Sequence, residues 1–267
     1  MSMTRRSFLS LILLLGIAVP AFAAGTDASQ DDIRKILAPT GELRAALYTG
    51  TPTSVVGPDD LRGVGYDLGK ALALKLAVPY KPIVFPKNAD VLDAIKAGTA
   101  DVAFTNASAE RARDMDFTQP YIAIELGYLA SAGTPVAGLA DVDRAGVRVG
   151  VTANSSSDGF LTSHLKQATV VRATTFDAGI QLMSSGALDV YATNKATLFE
   201  MADKLPGSRV LDGGWGAERH GIAIPKGRDM ALPYLRAFVH DMVASGAVAA
   251  AVTKAGLRGT LPEEPQP

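Results

Sequence analysis

Short apolar runs alternate with amphipathic segments along most of the chain. Leu43–Tyr48, Tyr80–Phe85 and Ile122–Ala130 are apolar runs of strand length, whereas 66–76 and Phe176–Ser184 carry apolar residues at helical spacing. Strands that alternate with helices of this length are typical of an α/β fold with largely parallel sheets. The same pattern predicts further helices at 31–37, 91–96, 158–166, 195–203, 231–243 and 248–255, and further strands at 102–104, 147–151, 170–173, 190–192 and 222–224.

The N-terminal 23 residues have the pattern of a cleavable export signal. Arg5 and Arg6 precede an uncharged run at 9–19, which is too short for a bilayer core that needs roughly 20 residues. Ala21 and Ala23 then place small residues where a signal peptidase cleaves. The Arg-Arg-x-Phe-Leu order resembles a twin-arginine signal. The sequence therefore predicts cleavage near Ala23 and a mature protein in the periplasm.

The mature chain is mildly acidic and contains no cysteine. Loss of the two signal arginines leaves 24 basic and 27 acidic residues. Nucleic acids and anionic membrane surfaces select clustered positive charge, so neither is expected as a partner. Without cysteine, a disulfide, a thiolate metal site and a lipid attachment point at the cleavage site are all excluded, and a soluble protein is expected. About 244 mature residues suit one large domain or two lobes.

One segment of the sequence is repeated in a related form. Residues 98–106 and 186–194 share Gly, Asp, Val, Thr and Asn at the same positions, and an apolar helix precedes each copy. Two similar lobes explain this repeat, and chance similarity between two βα units is the alternative. In both copies Thr and Asn follow the strand, at Thr105 and Asn106 and at Asn194, and ligands bind at such carboxyl ends of α/β sheets. The repeat predicts a polar, neutral cleft between two lobes.

Two further segments carry groups that recognise anions. Arg111 lies about one turn beyond the first strand end, where a guanidinium can clamp a carboxylate. From spacing alone, the favoured interpretation is that Arg111 or Arg113 is a surface charge or a partner of Asp114 or Asp116. Residues 155–157 are serines at a predicted helix start, where hydroxyls and free N–H groups favour an anion and where one serine caps the helix.

Other chemical motifs are missing from the sequence. There is no dinucleotide-binding glycine pattern, no phosphate loop and no Gly-x-Ser-x-Gly, and no cofactor is expected. The three histidines, His164, His220 and His240, lack metal-ligand spacing and are interpreted as structural or surface residues. Trp215, the single tryptophan, lies in a glycine-rich link and either lines the cleft or fills the join between lobes.

The order of these pieces resembles the bacterial extracellular solute-binding proteins of family 3, the polar amino acid binders of ABC uptake systems. The resemblance covers about residues 31–257, nearly the whole mature chain. It rests on the order of six pieces: Gly41-Glu-Leu-Arg, Gly65-Tyr-Asp, the Gly-x-x-Asp of 98–101, Glu110-Arg111, Asp116-Phe-Thr-Gln-Pro-Tyr, and Arg148-Val-Gly-Val.

The resemblance implies a two-lobed periplasmic binding protein fold of type II. Two mostly parallel sheets flanked by helices would be joined by a two-strand hinge. Lobe 1 would hold 31–122 and 224–257, lobe 2 would hold 123–223, and 258–267 would be a disordered tail. A monomer that passes its ligand to an ABC permease in the inner membrane is implied.

The resemblance also assigns roles to individual residues. The carboxylate clamp of the family falls on Arg111, which favours the binding interpretation for that side chain. A polar contact falls on Asn106, the lobe 2 hydroxyl on Ser156 beside Ser155, and an aromatic or polar wall near Tyr48. These residues are expected to line the ligand site together with Thr105.

One position departs from the family. Amino acid binders hold the ligand ammonium with an aspartate where this chain has Asn194, and a neutral amide cannot supply that charge. Either Glu218 replaces the aspartate or the ligand lacks an ammonium, so an amino-acid-like ligand and a plain carboxylate both remain open.

Two alternative functions share the fold. Periplasmic enzymes that resemble cyclohexadienyl dehydratases place a catalytic glutamate where this chain has Thr197, with Glu200 nearby. Because no acid stands at Thr197, a binding protein without catalytic residues is the favoured interpretation. A ligand-sensing subunit would look the same in sequence.

Overall fold

The computed structural model describes residues 29–261. The predicted signal at 1–23 and residues 262–267 lie outside the described residues. Within 29–261 no single helix is long and apolar enough to cross a membrane; the pair Asp229–Ala244 and Ala247–Ala255, bent by 70°, reaches that length and composition only when taken together.

The N-terminal part of the described chain alternates helices with parallel strands, as its apolar pattern predicts. Ser29 begins the first helix, because its hydroxyl accepts a hydrogen bond from the backbone N–H of Asp32. Ala77 ends the second helix in the left-handed conformation, with φ 53°. The elements are α1 (Gln30–Leu37), β1 (Leu43–Tyr48), α2 (Val64–Leu76), β2 (Tyr80–Phe85), α3 (Asn88–Lys96), β3 (Val102–Asn106) and β4 (Met115–Phe117).

The remaining elements repeat the alternation and then return to the first part of the structure. Ser155 and Thr175 begin two of the helices by accepting backbone hydrogen bonds with their hydroxyls. The elements are β5 (Ile122–Ala130), β6 (Arg148–Thr152), α4 (Ser156–His164), β7 (Thr169–Ala173), α5 (Phe176–Ser184), β8 (Val190–Asn194), α6 (Lys195–Ala202), β9 (Arg209–Val210), β10 (Gly216–Pro225), α7 (Leu232–Ala244), α8 (Ala247–Ala255) and β11 (Thr260–Leu261).

The strands of the described chain form one continuous sheet in the order β2-β1-β3-β10-β5-β8-β6-β7. β1 pairs in parallel with β2 and β3, and β6 pairs in parallel with β7 and β8. Between these two parallel ends run β5 and β10, which pair antiparallel with each other and with the ends. The two parallel sheets predicted from the sequence are therefore the two ends of one continuous sheet, because β10 pairs with β3, β5 pairs with β8, and the two crossing strands pair with each other.

Each parallel end has an apolar core of its own. Leu47, Leu72 and Phe238 belong to the core beside β1, which we call lobe 1. Val149 and Val190 belong to a core beside β6, and a further cluster on α5 and α6 completes this lobe 2. Because each parallel end has apolar clusters of its own, the two-lobed architecture is confirmed. The boundaries between 122 and 123 and between 223 and 224 remain predictions, since both fall within crossing strands.

β10 is much longer than predicted. The sequence predicts a strand only at 222–224 and a glycine-rich link before it, whereas the strand spans Gly216–Pro225. Glu218 and His220 are buried polar residues in its first half, so the segment lacks an apolar run. β4 and β9 are also absent from the sequence prediction, because two or three residues carry no periodicity.

The expected disorder of 258–267 is wrong for residues 258–261. Thr260 lies opposite Ile124 and forms β11 on the edge of β5. The carbonyl of Gly259 accepts a hydrogen bond of 2.9 Å from the backbone N–H of Glu125. Arg258 also forms an ion pair with Asp203. These backbone and charge contacts order the segment although its sequence contains little apolar surface.

The sequence repeat corresponds to one contact that occurs in each lobe. Asp101 precedes β3 and accepts hydrogen bonds from the backbone N–H and the side chain of Arg44 on β1. Asp189 precedes β8 and accepts the same pair of bonds from Arg148 on β6. The shared aspartate therefore fastens two neighbouring parallel strands in each lobe, and the polar strand ends that follow it meet at the junction of the lobes.

Candidate functional site

A small cavity lies where the carboxyl ends of β1, β3, β6 and β8 meet the crossing strand β10. Its volume is about 60 Å³, small beside the roughly 300–1,000 Å³ of sites for drug-sized ligands. Lobe 1 lines it with Tyr48, Thr51, Thr53, Ser54, Asn88, Phe104, Thr105, Asn106 and Arg111, lobe 2 lines it with Thr152, Ser155, Thr193, Asn194 and Thr197, and β10 adds Glu218 and His220. The lining is polar and rich in hydroxyls, as the repeat predicts.

Arg111 reaches the cavity from a short 3₁₀ turn that follows β3. Its Nη1 donates to Thr105 Oγ1 at 2.6 Å and to the carbonyl of Asn106 at 3.4 Å. Burial lowers its pKa from the ordinary value, while the charges of Glu218 and Glu110 raise it, and the guanidinium remains charged. Within residues 29–261 it forms no ion pair.

The alternative partners proposed for Arg111 are engaged elsewhere. Asp114 pairs with Lys96 at 3.1 Å and Asp116 pairs with Lys226 at 2.6 Å. Arg113, on the same turn, is exposed. The structure thus distinguishes the two arginines that spacing alone leaves equivalent: Arg111 faces the cavity and Arg113 is on the surface.

The other lobe 1 residues expected at the site also line the cavity. Asn106 Oδ1 accepts the backbone N–H of Arg219 on β10 at 3.1 Å, which fixes the end of β3 against the crossing strand. Tyr48 ends β1, and its backbone N–H donates to Ser54 Oγ at 2.9 Å. Burial raises the pKa of the Tyr48 hydroxyl, so it remains protonated at neutral pH.

Ser155 and Ser156 take different positions at the start of α4. Ser155 Oγ accepts the backbone N–H of Asp158 at 3.1 Å and also lines the cavity, so a helix cap and a cavity wall coincide. Ser156 does not line the cavity but a second groove next to it. Its hydroxyl donates a hydrogen bond to Glu218 Oε1 at 2.5 Å. Its contact with the cavity is therefore made through Glu218.

Glu218 lies at the centre of a buried polar cluster. The Ser156 hydroxyl contacts Oε1 of Glu218, and two further groups contact Oε2. Asn194 Nδ2 donates to Oε2 at 3.1 Å, and His220 Nε2 lies 3.2 Å from the same oxygen. Asn194 Oδ1 in turn accepts both the backbone N–H and the hydroxyl of Thr197. The residue expected to replace the missing aspartate is therefore in direct contact with the asparagine that stands in its place.

The environment of Glu218 keeps its carboxyl group ionised. Burial alone raises its pKa, but the hydrogen bond and charge of His220, the Ser156 hydroxyl and the charge of Arg111 lower it from 4.5 to about 2. These favourable contacts outweigh the cost of burying the charge. The cavity consequently contains one fixed negative group beside one fixed positive group, Arg111.

Glu218→Gln is expected to remove a pH-dependent part of the stability. A carboxyl whose pKa falls on folding stabilises the protein above its unfolded pKa of 4.5 and loses that contribution as the pH falls towards about 2. At pH 7 the contribution is about 3 kcal/mol. Denaturant unfolding at pH 7, 4 and 3 should show the difference in stability between the wild type and the variant shrinking as the pH falls, because only the wild type loses part of this increment. Glu110→Gln, which alters an exposed carboxylate, is the control; equal pH profiles for the wild type and Glu218→Gln would contradict the assignment.

The sequence interprets His220 as a structural or surface residue, whereas the structure places it in the lining of the cavity. It is 5% exposed, and its Nδ1 has no hydrogen-bond partner among the described residues. The alternation of Glu218-Arg-His on a strand puts the first and third side chains on one face. The sequence carries this alternation, but its prediction of a strand at 222–224 leaves out the first half of β10, Glu218 and His220 included. Thr51, Thr53 and Asn88 were missed because they lie on loops or at a helix start without a motif.

Trp215 does not line the cavity. Its ring stacks on Phe160 with centroids 4.9 Å apart and contacts the core of lobe 2 beside Tyr128. Its indole Nε1 donates to the carbonyl of Gly127 at 3.3 Å. The sequence leaves two roles open for Trp215. The prediction that it lines the cleft is wrong, because its ring packs against the core of lobe 2 instead.

Thr197 stands at the position where the dehydratase-like enzymes carry their catalytic glutamate, so that position holds no acid. The Thr197 hydroxyl lines the cavity and donates to Asn194 Oδ1 at 3.2 Å. Glu200 lies near Arg258, at 3.6 Å, and is not part of the lining. Glu218, which does line it, is a poor proton donor at neutral pH because its pKa is near 2.

Comparison with known proteins supports the fold and identifies a family. A family model described as bacterial extracellular solute-binding proteins, family 3, matches residues 44–256. Among curated protein sequences, none is similar enough to count as a relative.

Solved structures with the same fold include several binding proteins. A mutant of ArgBP from T. maritima has a TM-score of 0.74 at 20% identity, over 85% of this chain and 98% of that one. A solute receptor for L-cysteine of Neisseria gonorrhoeae has a TM-score of 0.73 at 21% identity, over 85% and 93%. An ancestral amino acid-binding protein, described as a precursor of cyclohexadienyl dehydratase, has a TM-score of 0.72 at 22% identity, over 85% and 99%. At these identities the likeness establishes the fold.

Proposed function

The chain belongs to the bacterial extracellular solute-binding proteins of family 3, and on that premise we propose that it captures a small carboxylate-bearing ligand between its lobes for uptake by an ABC transporter. The ligand is an amino-acid-like molecule or another small organic carboxylate. Its carboxylate pairs with Arg111, and hydroxyls of both lobes surround the rest. The small cavity volume supports a ligand of few heavy atoms.

One observation carries this proposal. Arg111 carries a partly buried guanidinium that lines a cavity and, in the described chain, has no carboxylate within ion-pair distance. Buried charges are normally paired, because an unpaired one loses its hydration without compensation. A ligand carboxylate supplies the missing partner, and the planar guanidinium suits it in a bidentate geometry.

The export signal and the family together support a place outside the cytoplasm. Cleavage near Ala23 leaves a chain without a cysteine for lipid attachment. We therefore place the mature protein in the periplasm as a freely diffusing monomer that delivers its ligand to an inner-membrane permease.

A thermal-shift screen of the mature protein tests the proposal. Ligands that bind the folded state raise the melting temperature. Small carboxylates, including amino acids, should raise it, whereas the corresponding neutral carboxamides should not. A screen in which amides stabilise the protein as well as acids do would refute the carboxylate site.

The closed arrangement of the lobes depends on close packing around a glycine. Gly50, in the loop after β1, has φ +91°, and a Cβ at this position would lie 2.5 Å from Cγ of Phe176 in lobe 2. Asn88 Nδ2 also reaches across to the carbonyl of Asn154, at 3.3 Å. We propose that these contacts form when hinge motion closes the lobes over the ligand.

Gly50→Ala is expected to weaken ligand binding by opposing closure. The added methyl group would have to displace Phe176 before the lobes could meet. Small-angle scattering should show a more open molecule, and calorimetry should show roughly tenfold weaker binding for each 1.4 kcal/mol lost from the closed state.

Gly41→Ala separates this effect from backbone strain. Gly41 has a similar φ of +85°, but a Cβ there would meet nothing within 4 Å. Both variants should lose about 1 kcal/mol of stability from the left-handed backbone, and only Gly50→Ala should lose affinity. Equal affinities for the two variants would contradict the closure contact.

A further inference from the structure

The cluster around Glu218 limits what the cavity can accept. Among the described residues that line the cavity, Glu218 is the single acidic one. Its carboxylate already faces three protein donors: Ser156 at one oxygen, and Asn194 and His220 at the other. A carboxylate offers about four acceptor positions, so one remains for a ligand.

An ammonium group finds only one open charged acceptor position in this arrangement, on Glu218. It carries three N–H donors, and each needs an acceptor once the group is removed from water. Glu218 can take one without losing a protein contact. Displacing His220 would leave both ring nitrogens unpaired in a buried position, because its Nδ1 already has no partner in the described chain.

The two neighbouring asparagine side-chain oxygens are also engaged. Asn194 Oδ1 accepts two hydrogen bonds from Thr197. Asn106 Oδ1 accepts the backbone N–H of Arg219. The Asn194 amide thus serves to hold Glu218 and to cap α6, and it does not present an oxygen to the cavity in the way that a free aspartate would.

The groups that remain open favour an oxygen-rich anion. Arg111 uses only Nη1 for its protein contacts, which leaves its other N–H donors for a carboxylate. The lining contains many threonine and serine hydroxyls, which donate or accept as required. A ligand hydroxyl has the same versatility and can pair with His220 Nδ1 in either protonation state of the ring.

We propose that the ligand is a small hydroxycarboxylate, with a hydroxyl at the position where an amino acid carries its ammonium. The inference rests on the proposed function and defines its substrate class. Arg111 binds the carboxylate, the hydroxyl faces the His220 side of the cavity, and Glu218 orders His220, Asn194 and Ser156 without contacting a ligand cation.

Matched pairs of ligands test the proposal directly. Isothermal titration of the mature wild-type protein would compare L-lactate with L-alanine, L-glycerate with L-serine, and L-malate with L-aspartate. At least one hydroxy acid should bind roughly tenfold to a hundredfold tighter than its amino partner, the range for leaving buried polar groups unpaired. An amino acid that binds tighter than its hydroxy partner would overturn the inference and leave the carboxylate site intact.

A double variant that leaves the net charge of the cavity unchanged tests whether Asn194 and Glu218 cause the preference for hydroxy acids. Asn194→Asp with Glu218→Gln moves the carboxylate from β10 to the end of β8 without changing the net charge of the cavity. The variant should reverse the preference towards the amino acid of each pair. An unchanged preference for hydroxy acids would show that these two residues do not set the class, and would overturn the argument.

The failure of the parent proposal gives a different result. If no acid of either series binds, and the corresponding carboxamides bind instead, both the carboxylate site and the ligand class are wrong. Circular dichroism and thermal unfolding of each protein show that the measurement was made on a folded chain.

Discussion

Arg111→Ala is expected to weaken ligand binding by about 2–5 kcal/mol, the range for removing one partner of a buried charge pair. This corresponds to an affinity loss of roughly 30-fold to 4,000-fold. The guanidinium is partly buried and makes its protein contacts to neutral oxygens of Thr105 and Asn106. Its charge is therefore available to the ligand, and no other arginine or lysine of the described chain lines the cavity to replace it.

Arg113→Ala is the matched control for this prediction. Arg113 lies on the same 3₁₀ turn but is exposed, so its removal should leave affinity unchanged and stability within about 0.5 kcal/mol of wild type. Arg111→Lys should retain the charge but lose the bidentate geometry, giving an intermediate affinity. Calorimetry on the three variants measures these differences with whichever carboxylate the thermal screen selects. Unchanged affinity in Arg111→Ala would remove the basis of the proposed function.

The elements that the sequence predicts well are those whose packing is local and periodic. β1, β2, β5 and α5 begin and end where the apolar pattern places them. The repeat at 98–106 and 186–194 also indicates two similar units. In the structure its shared aspartate has a definite function, since Asp101 and Asp189 each join two parallel strands.

The parts that escaped prediction depend on contacts between distant segments. The first half of β10 contains Glu218 and His220, which are buried only because Ser156 and Asn194, from other parts of the chain, supply hydrogen bonds. A buried polar strand has no apolar signature, so its sequence resembles a link. Trp215 was ambiguous for the same reason, because its position depends on α4 and its Phe160.

Asp101→Asn is expected to cause the largest loss of stability of any single charge removal discussed above. The Asp101 side chain is fully buried and accepts hydrogen bonds from two arginines, Arg44 at 17% exposure and Arg228 at 18%. Asparagine has almost the same shape, but it removes the charge and turns one oxygen into a donor that faces arginine N–H groups. Breaking a buried pair in this way costs about 3–5 kcal/mol.

Urea unfolding and calorimetry would measure this effect. A chain of this size loses roughly 2–4 °C of melting temperature per kcal/mol, so a fall of about 6–20 °C is expected. Arg228 follows β10, the strand on which the chain returns from lobe 2. Its ion pair with Asp101 therefore also holds this segment against lobe 1. The loss should therefore appear in the unfolding of lobe 1.

Asp189→Asn is the control that the repeat supplies. Asp189 occupies the equivalent position in lobe 2 and binds the equivalent arginine, but its side chain is 18% exposed and Arg148 is 42% exposed. It has one arginine partner in the described chain, and solvent can rehydrate that arginine when the charge is removed. A loss of no more than about 1–2 kcal/mol is expected. If the two variants lost equal stability, burial would not determine the strength of this contact.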